Sequence, residues 1–302
     1  MRQPARHRKP IQPKTPAPLK FEIEEATELL VFLISKMPHK SRHNVKALLK
    51  ENVFVDGNQT SQFNQNLRPG QVVEIKYDKV SVKTKLRGLK LIFEDEYLIV
   101  IEKEAGVLSI ATEKQKDNTA YSILSEYVKK EDPSNRIFVV HRLDKETSGI
   151  MMYAKSQTIQ KLLQEKWNDN ILERTYLAVV EGKLHQAKGT VESYLIESKA
   201  LIVYSTKDEA NGQKAITHYE VMHTSKFNQL LKVNLETGRK NQIRVHMQDL
   251  GHPVIGDEKY GARSNPIKRL GLHAWVLAFT HPVTKIDMRF ETEVPSEFDR
   301  MF

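Results

Sequence analysis

The chain has 302 residues, no cysteine, a formal net charge of +9 and a sequence pI of about 9.4. The absence of cysteine excludes disulfides and thiolate metal sites, and the excess of Lys and Arg favours a polyanionic partner, because binding phosphate releases condensed counterions. With 39% hydrophobic residues the chain can bury a sizeable core, and no apolar run approaches the ~20 residues a bilayer-spanning helix needs.

In chain order, residues 1–21 come first, rich in Pro, Lys and Arg and free of acid. Such a segment cannot offset its ordering entropy and is expected to be a disordered basic tail. It lacks the apolar stretch of a signal peptide, so the cytoplasm is the expected location and no membrane partner is expected. Residues 22–78 read as a separate module. Residues 24–37 are expected to be helical, with Leu29, Leu30, Phe32 and Leu33 as the apolar stripe. Ser41 then stands where an N-cap belongs. After it Val45, Leu48 and Leu49 face one way, while Arg42, Lys46 and Lys50 face the other. Val53-Phe54-Val55-Asp56-Gly57-Asn58 is an alternating strand running into a hairpin turn, and 72–77 is a further strand. A helix pair with one basic face beside a hairpin sheet is a plausible RNA-docking surface, although charge spacing alone favours an ordinary solvated face. Residues 79–88 read as a linker.

From 89 to 302 strands and helices mix. Strands are expected within 91–101 on either side of Glu94-Asp95-Glu96, at 137–140, 151–154 and 174–180, near 190–196, 215–222 and 229–235, and at 274–279 and 288–294. Helices are expected at 118–130, at 156–168 with Ser156 as cap, and at 240–250. Strands follow one another without regular βα alternation. That points to an α+β domain, a mixed and largely antiparallel sheet with flanking helices.

Nucleotide-cofactor loops, zinc-spaced histidines and the GxSxG elbow are missing, so no cofactor or metal is expected. Three polar segments stand out instead. In the first, a strand of Ile, Phe and Val ends in His141-Arg142-Leu143-Asp144-Lys145-Glu146-Thr147-Ser148-Gly149. Turns just beyond buried strands expose reactive groups on a rigid scaffold, yet taken alone this segment favours an aspartate that caps its own turn. The second is Arg174-Thr175-Tyr176-Leu177-Ala178-Val179-Val180-Glu181-Gly182. Tyr176 shares a strand face with Ala178 and Val180, either as a core residue or as a stacking platform. The third is Thr237-Gly238-Arg239-Lys240-Asn241-Gln242-Ile243-Arg244-Val245-His246, followed by Gly251-His252-Pro253-Val254-Ile255-Gly256-Asp257-Glu258-Lys259-Tyr260-Gly261. A glycine turn opening into a basic helix start fits phosphate contact, weakly by itself.

Taken together, and in this order, the three segments resemble the RluA-type RNA pseudouridine synthases. Leu272-His273-Ala274, the stretch from Phe279 to Pro282, and Gly212-Gln213-Lys214-Ala215 with Tyr219 extend the likeness over residues 89 to about 295. Within 22–78, Lys40-Ser41-Arg42, Val53-Phe54-Val55-Asp56-Gly57 and Leu67-Arg68-Pro69-Gly70-Gln71-Val72-Val73 resemble the alpha-L RNA-binding motif, which assigns Arg42, Lys46 and Lys50 to RNA. The resemblance implies that Asp144 is the nucleophile, that Tyr176 stacks on the target base and takes the proton from its C5, and that Arg244 pairs with Asp144. It further implies that Ile243 packs beside the base and that Arg142 holds the flipped nucleotide open. Arg239, at the basic helix start, is expected on the substrate backbone.

The pattern has two departures. Asn241 stands where the family usually has His, and Glu104 where it usually has Pro. The implied activity is isomerisation of uridine to pseudouridine in structured RNA, with large-subunit ribosomal RNA favoured over transfer RNA, base flipping, no cofactor and a monomeric enzyme. The competing reading is a non-catalytic RNA-binding assembly protein. A two-carboxylate glycosidase is disfavoured by the basic balance and the lack of a second acid motif. The residues leave open whether Asp144 attacks C1′ of the ribose or assists departure of the base.

Overall fold

The computed structural model describes residues 18–37, 42, 45, 46, 49, 52–76, 86–113, 115–165 and 167–302. Two compact units emerge, one within Lys14–Ser81 and one within Val82–Phe302.

In the smaller unit, β1 (Leu19–Glu22), β6 (Val72–Ile75), β3 (Val53–Val55) and β4 (Asn58–Gln59) form a sheet in the order β1-β6-β3-β4. The Asp56-Gly57 turn joins β3 to β4 with positive φ at both residues, 50° and 81°. This is the twist that two-residue hairpins require. Ordered structure begins earlier than the sequence indicates, because β1 pairs Leu19 with Ile75 and Phe21 with Val73. The proposed tail upstream of residue 18 lies outside the described residues. The helix is also shorter than expected and spans Leu29–Lys36. Thr27 and Glu28 instead form β2, paired with β5 (Asn66–Leu67). The amides of Leu29 and Leu30 donate to the Gln65 and Phe63 carbonyls, so a loop rather than a side-chain cap fixes the helix start. The expected apolar stripe is buried, and Val45 and Leu49 join its core. Arg42 and Lys46 are exposed, with Lys46 Nζ 4.8 Å from the Phe63 ring centroid. Ser41, Leu48 and Lys50 lie outside the described residues, as does most of the expected linker.

The larger unit is built on one 11-stranded sheet. Its path runs β13 (Val203–Thr206), β12 (Lys188–Glu197), β14 (Gln213–Thr224), β15 (Asn228–Leu235), β11 (Ile171–Glu181), β16 (Leu272–Thr280), β10 (Ser148–Ala154), β8 (Leu98–Lys103) and β7 (Leu89–Glu94). Strand β9 (Phe138–Val139) pairs with β10, and β17 (Asp287–Glu291) with β16. Every pairing is antiparallel except β10 with β16, which gives the expected mixed, largely antiparallel α+β sheet. The edge strand β13 has no counterpart in the sequence reading. It is four residues long and is held by β12 rather than by a strong pattern of its own.

The centre of the sheet positions the chemistry. Gly149 of β10 pairs with Ala274 of β16, which pairs with Tyr176 of β11, which pairs with Val233 of β15. One row across four strands thus carries Gly149 of the first motif segment and Tyr176 of the second, beside the strand that leads into the third. A register irregularity between Thr175 and Tyr176 falls at this row, and bulges of this kind re-aim side chains beside active sites. Gly149 is required here: its φ is 114°, and a Cβ would lie 2.1 Å from the Ala274 carbonyl oxygen. Aliphatic layers cover the sheet, including Leu124 and Val128 of the helix Ala120–Glu131 and Ile159 and Leu163 of the helix Gln157–Glu165. Each such buried side chain contributes roughly 1.5–3 kcal/mol. Thr119 caps the first of these helices in a reciprocal pair with Ser122, and Ser156 Oγ accepts from the Ile159 amide at the start of the second.

Three histidines are buried or partly buried and kept neutral in this unit. Burial pulls His273 down to about 3, and His246 and His141 each to about 4. His273 lies between Ser148 Oγ, 2.7 Å from Nδ1, and Thr292 Oγ1, 2.7 Å from Nε2. Arg269 Nη2 also donates to Ser148 Oγ, at 2.5 Å. Ser148 is therefore buried and fully engaged in structure, and is no nucleophile. In the unfolded chain these histidines titrate near ~6.5. The unfolded state therefore binds more protons than the folded state between that value and 3–4. Their stabilising contribution is complete above about pH 6.5 and is lost progressively as the pH falls toward 4. Melting temperature followed by circular dichroism is expected to drop steadily over this window, and less so in His273→Gln. A flat profile between pH 6.5 and 4.5 contradicts this account.

Candidate active site

A cavity of about 470 Å³ opens where β11, β15, the helix Gln242–Asp249 and the loop between β9 and β10 meet. Asp144 reaches it from the loop between β9 and β10. This loop is pinned on both sides of the aspartate. Ser109 Oγ donates to the Leu143 carbonyl at 2.6 Å and accepts from the Leu143 amide at 3.1 Å. Lys103, fully buried, donates to the carbonyls of Glu104, Val107 and Lys145 at 3.0, 2.7 and 3.0 Å. Burial draws the Lys103 pKa down to about 7, partly opposed by Glu146. Three acceptors nevertheless need the three donors that only the ammonium form carries. Neither Ser109 nor Lys103 stood out in the sequence; a strand-end lysine gives no sign that it will be buried.

Arg244 sits 100 positions after Asp144, and its Nη1 donates to Asp144 Oδ2 at 3.0 Å. The rest of its guanidinium is gripped by Asp257, with Nε to Oδ2 at 2.6 Å and Nη2 to Oδ1 at 2.7 Å. The Asp257 side chain is 1% exposed and that of Arg244 14%, whereas that of Asp144 is 36% exposed. Burial works against the Arg244 charge, but Asp257 and Asp144 outweigh it and raise its pKa further. Asp144 keeps its second oxygen available, since Oδ1 makes no hydrogen bond among the described residues.

The helix start differs from the expected one. Asn241 has φ 54° and the helix begins at Gln242. Asparagine tolerates this left-handed conformation better than most residues. Its Nδ2 donates to the Tyr260 hydroxyl at 2.9 Å, and its Oδ1 accepts from Arg244 Nη1 at 3.4 Å. The Tyr260 ring lies 4.9 Å from the Arg244 guanidinium carbon. Asp257 and Tyr260 belong to a segment noted in the sequence, but their pairing with Arg244 depends on the loop after the helix folding back.

Tyr176 lines the cavity and is partly buried. Burial raises the pKa of its phenol, Arg174 opposes the shift and Asp144 adds to it. The hydroxyl is therefore protonated at neutral pH. Ile243 is buried but contributes to the cavity wall, and Arg142 and Arg239 line it while remaining exposed. The structure thus brings Asp144, Tyr176, Arg244, Ile243, Arg142 and Arg239 together. Arg42 and Lys46 belong to the other compact unit, and Lys50 is outside the described residues. Among the described residues no cluster of His, Asp and Glu is arranged to hold a metal ion, and no helix is long and apolar enough to cross a membrane.

Comparison with known proteins identifies the family. A family model for RNA pseudouridylate synthase matches residues 97–249. The chain is 33% identical over 239 residues to the uncharacterized RNA pseudouridine synthase YjbO of Bacillus subtilis, covering 78% of this chain and 84% of that one. It is 30% identical over 283 residues to ribosomal large subunit pseudouridine synthase D of Escherichia coli K12, covering 88% and 86%. Human RNA pseudouridylate synthase domain containing 4 shares the fold, with a TM-score of 0.57 and 22% identity over 71% of this chain and 91% of that one. The chain accordingly belongs to the RNA pseudouridine synthases of the RluA type, enzymes that isomerise uridine within RNA.

Proposed function

We propose that the enzyme acts on large-subunit ribosomal RNA, with Asp144 as nucleophile on a uridine flipped out of its stack. The reaction breaks the N1–C1′ bond, turns the base and joins C5 to C1′; the C5 proton is lost and N1 gains one, so no group enters or leaves. The observation that carries the reading is the pair formed by Asp144 and Arg244. An ionised carboxylate is held at the cavity by one oxygen while the other stays open to substrate, which suits covalent catalysis in two steps. Tyr176 provides the platform against which the base packs. With its phenol protonated, it acts on C5 only after its own proton has moved, so it serves as a relay rather than a standing base. Flipping the base costs a few kcal/mol, and stacking on Tyr176 and contact with Arg142 and Arg239 offset that cost.

The synthase of Escherichia coli named for the ribosomal large subunit supports the choice of RNA. The small unit is read as an alpha-L RNA-binding module that adds affinity through Arg42, Lys46 and Lys50, and the enzyme as a cytoplasmic monomer. Mapping pseudouridine by mass labelling in total RNA, with and without the gene, tests the proposal. Loss of one or a few large-subunit sites is expected; loss confined to transfer RNA overturns the substrate assignment. Removal of residues 1–78 is expected to weaken binding to structured RNA and to flatten its salt dependence, with a smaller effect on turnover at saturation. An unchanged affinity and salt slope refute the role given to the module.

A further inference from the structure

The cavity wall carries a second group that the reaction at Asp144 does not use. His141, Trp167 and Arg174 all line the cavity. The rings of His141 and Trp167 lie 5.4 Å apart, tilted by 48°, and the Arg174 guanidinium carbon is 5.9 Å from the Trp167 ring centroid. The group is held in place. His141 Nε2 accepts from the Met152 amide at 3.1 Å. Arg174 Nη2 donates to the Glu236 carbonyl at 3.0 Å. Gln164, on the helix preceding Trp167, donates to the Val139 and Val140 carbonyls at 3.2 Å each.

The arginines differ in their partners. Arg244, Arg269 and Arg289 each meet at least one carboxylate. Arg142, Arg174 and Arg239, which line the cavity, form no ion pair with a carboxylate among the described residues. A partly buried guanidinium without an anion is costly unless an anion arrives with the ligand. Space has been made for this arginine: a Cβ on Gly238 would lie 2.4 Å from Arg174 Nη1. The partly exposed indole beside it offers a π-face, on which any nucleobase can stack.

We propose that Trp167, with Arg174, forms a subsite for a second unpaired nucleotide flanking the target uridine, Trp167 stacking on its base and Arg174 meeting its phosphate. This deepens, and rests on, the reading of the cavity as the site of RNA isomerisation. The ligand is thus single-stranded or opened RNA, and the enzyme senses whether the neighbour of its target is also unstacked.

The chain has two tryptophans, so Trp275→Phe leaves Trp167 as the sole reporter. Titration with hexauridylate is expected to quench its emission, whereas an abasic ribose-phosphate hexamer, which supplies phosphates without bases, is not. Tritium release from large-subunit transcripts labelled at uridine C5 reports turnover. Trp167→Leu is expected to raise KM on the order of 10-fold with kcat held within about threefold, and Trp167→Phe to restore KM. Gly238→Ala, by crowding Arg174, is expected to weaken binding of both hexamers. Absence of quenching, together with an unchanged KM in Trp167→Leu while the parent enzyme releases tritium, overturns the subsite and leaves the isomerase reading intact. Failure of the parent enzyme to release tritium from those transcripts counts against the choice of RNA instead, and the quenching comparison still decides the subsite.

Discussion

Asp144→Asn is expected to lower pseudouridine formation by at least about 10⁴-fold, with RNA affinity changed by no more than about threefold. The substitution preserves shape. An asparagine carbonyl can still accept from Arg244 Nη1, which lies 3.0 Å from the oxygen it replaces. The main-chain pins at Leu143 and Lys145 are untouched, and Asp257 still neutralises the arginine. What is lost is the negative charge and the nucleophilic oxygen. Tritium release and filter binding on the same transcript separate the two effects. Measurable turnover by purified Asp144→Asn would sink the mechanism, whereas loss of binding would mean that Asp144 positions RNA rather than reacting with it.

The second large effect belongs to a residue without a role in the reaction's bonds. Asp257→Asn removes one of the two acceptors that grip Arg244 and leaves a guanidinium only 14% exposed beside a neutral amide. Breaking a buried pair from one side costs about 3–5 kcal/mol. A displacement of about 1 Å in a catalytic partner can lower the rate about 10²-fold. The variant is therefore expected to lose both stability in urea and roughly two decades of kcat, with KM less affected. Arg244→Lys is expected to lose activity as well, since an ammonium cannot match the planar fork that meets two carboxylates at once. If Asp257→Asn is less stable yet turns over at the parent rate, Asp257 is a structural residue and not a positioning one.

How much of this was legible in the sequence depended on distance along the chain. Asp144, Tyr176 and Arg244 stood in segments that are weak one by one, and became legible only through the order of the three segments and their resemblance to a known family. The strand ladder from β7 to β17, β13 apart, followed from alternation and spacing. The residues that make the site rigid were hidden, because their importance is created by packing. Lys103 looks like any strand-end lysine until three carbonyls close over it. Asp257 lies 13 positions from the arginine it holds, on a loop whose return no periodicity encodes. Arg174 carries no sign in the sequence that Gly238 leaves room for it. The misplaced helix start at residue 24 has the same origin: Thr27 and Glu28 have partners on β5, and a cross-strand pairing overrides local preference.

The place of β16 in the sheet has a consequence for how the enzyme is born. This strand, Leu272–Thr280, follows every other strand of the path in sequence, yet it lies between β10 and β11 and, among the described residues, links the two halves of the sheet. Until it inserts, the segment carrying Asp144 and the segment carrying Tyr176 and Arg244 have no strand in common. Contacts of such long sequence separation form late, because loop closure must precede them. A nascent chain is thus expected to be catalytically silent until β16 has emerged, even after both motif-bearing halves have done so. Activity is expected to switch on when β16 inserts and the seam closes. Chains arrested before residue 272 should release no tritium from labelled RNA, and release of the full chain should restore it.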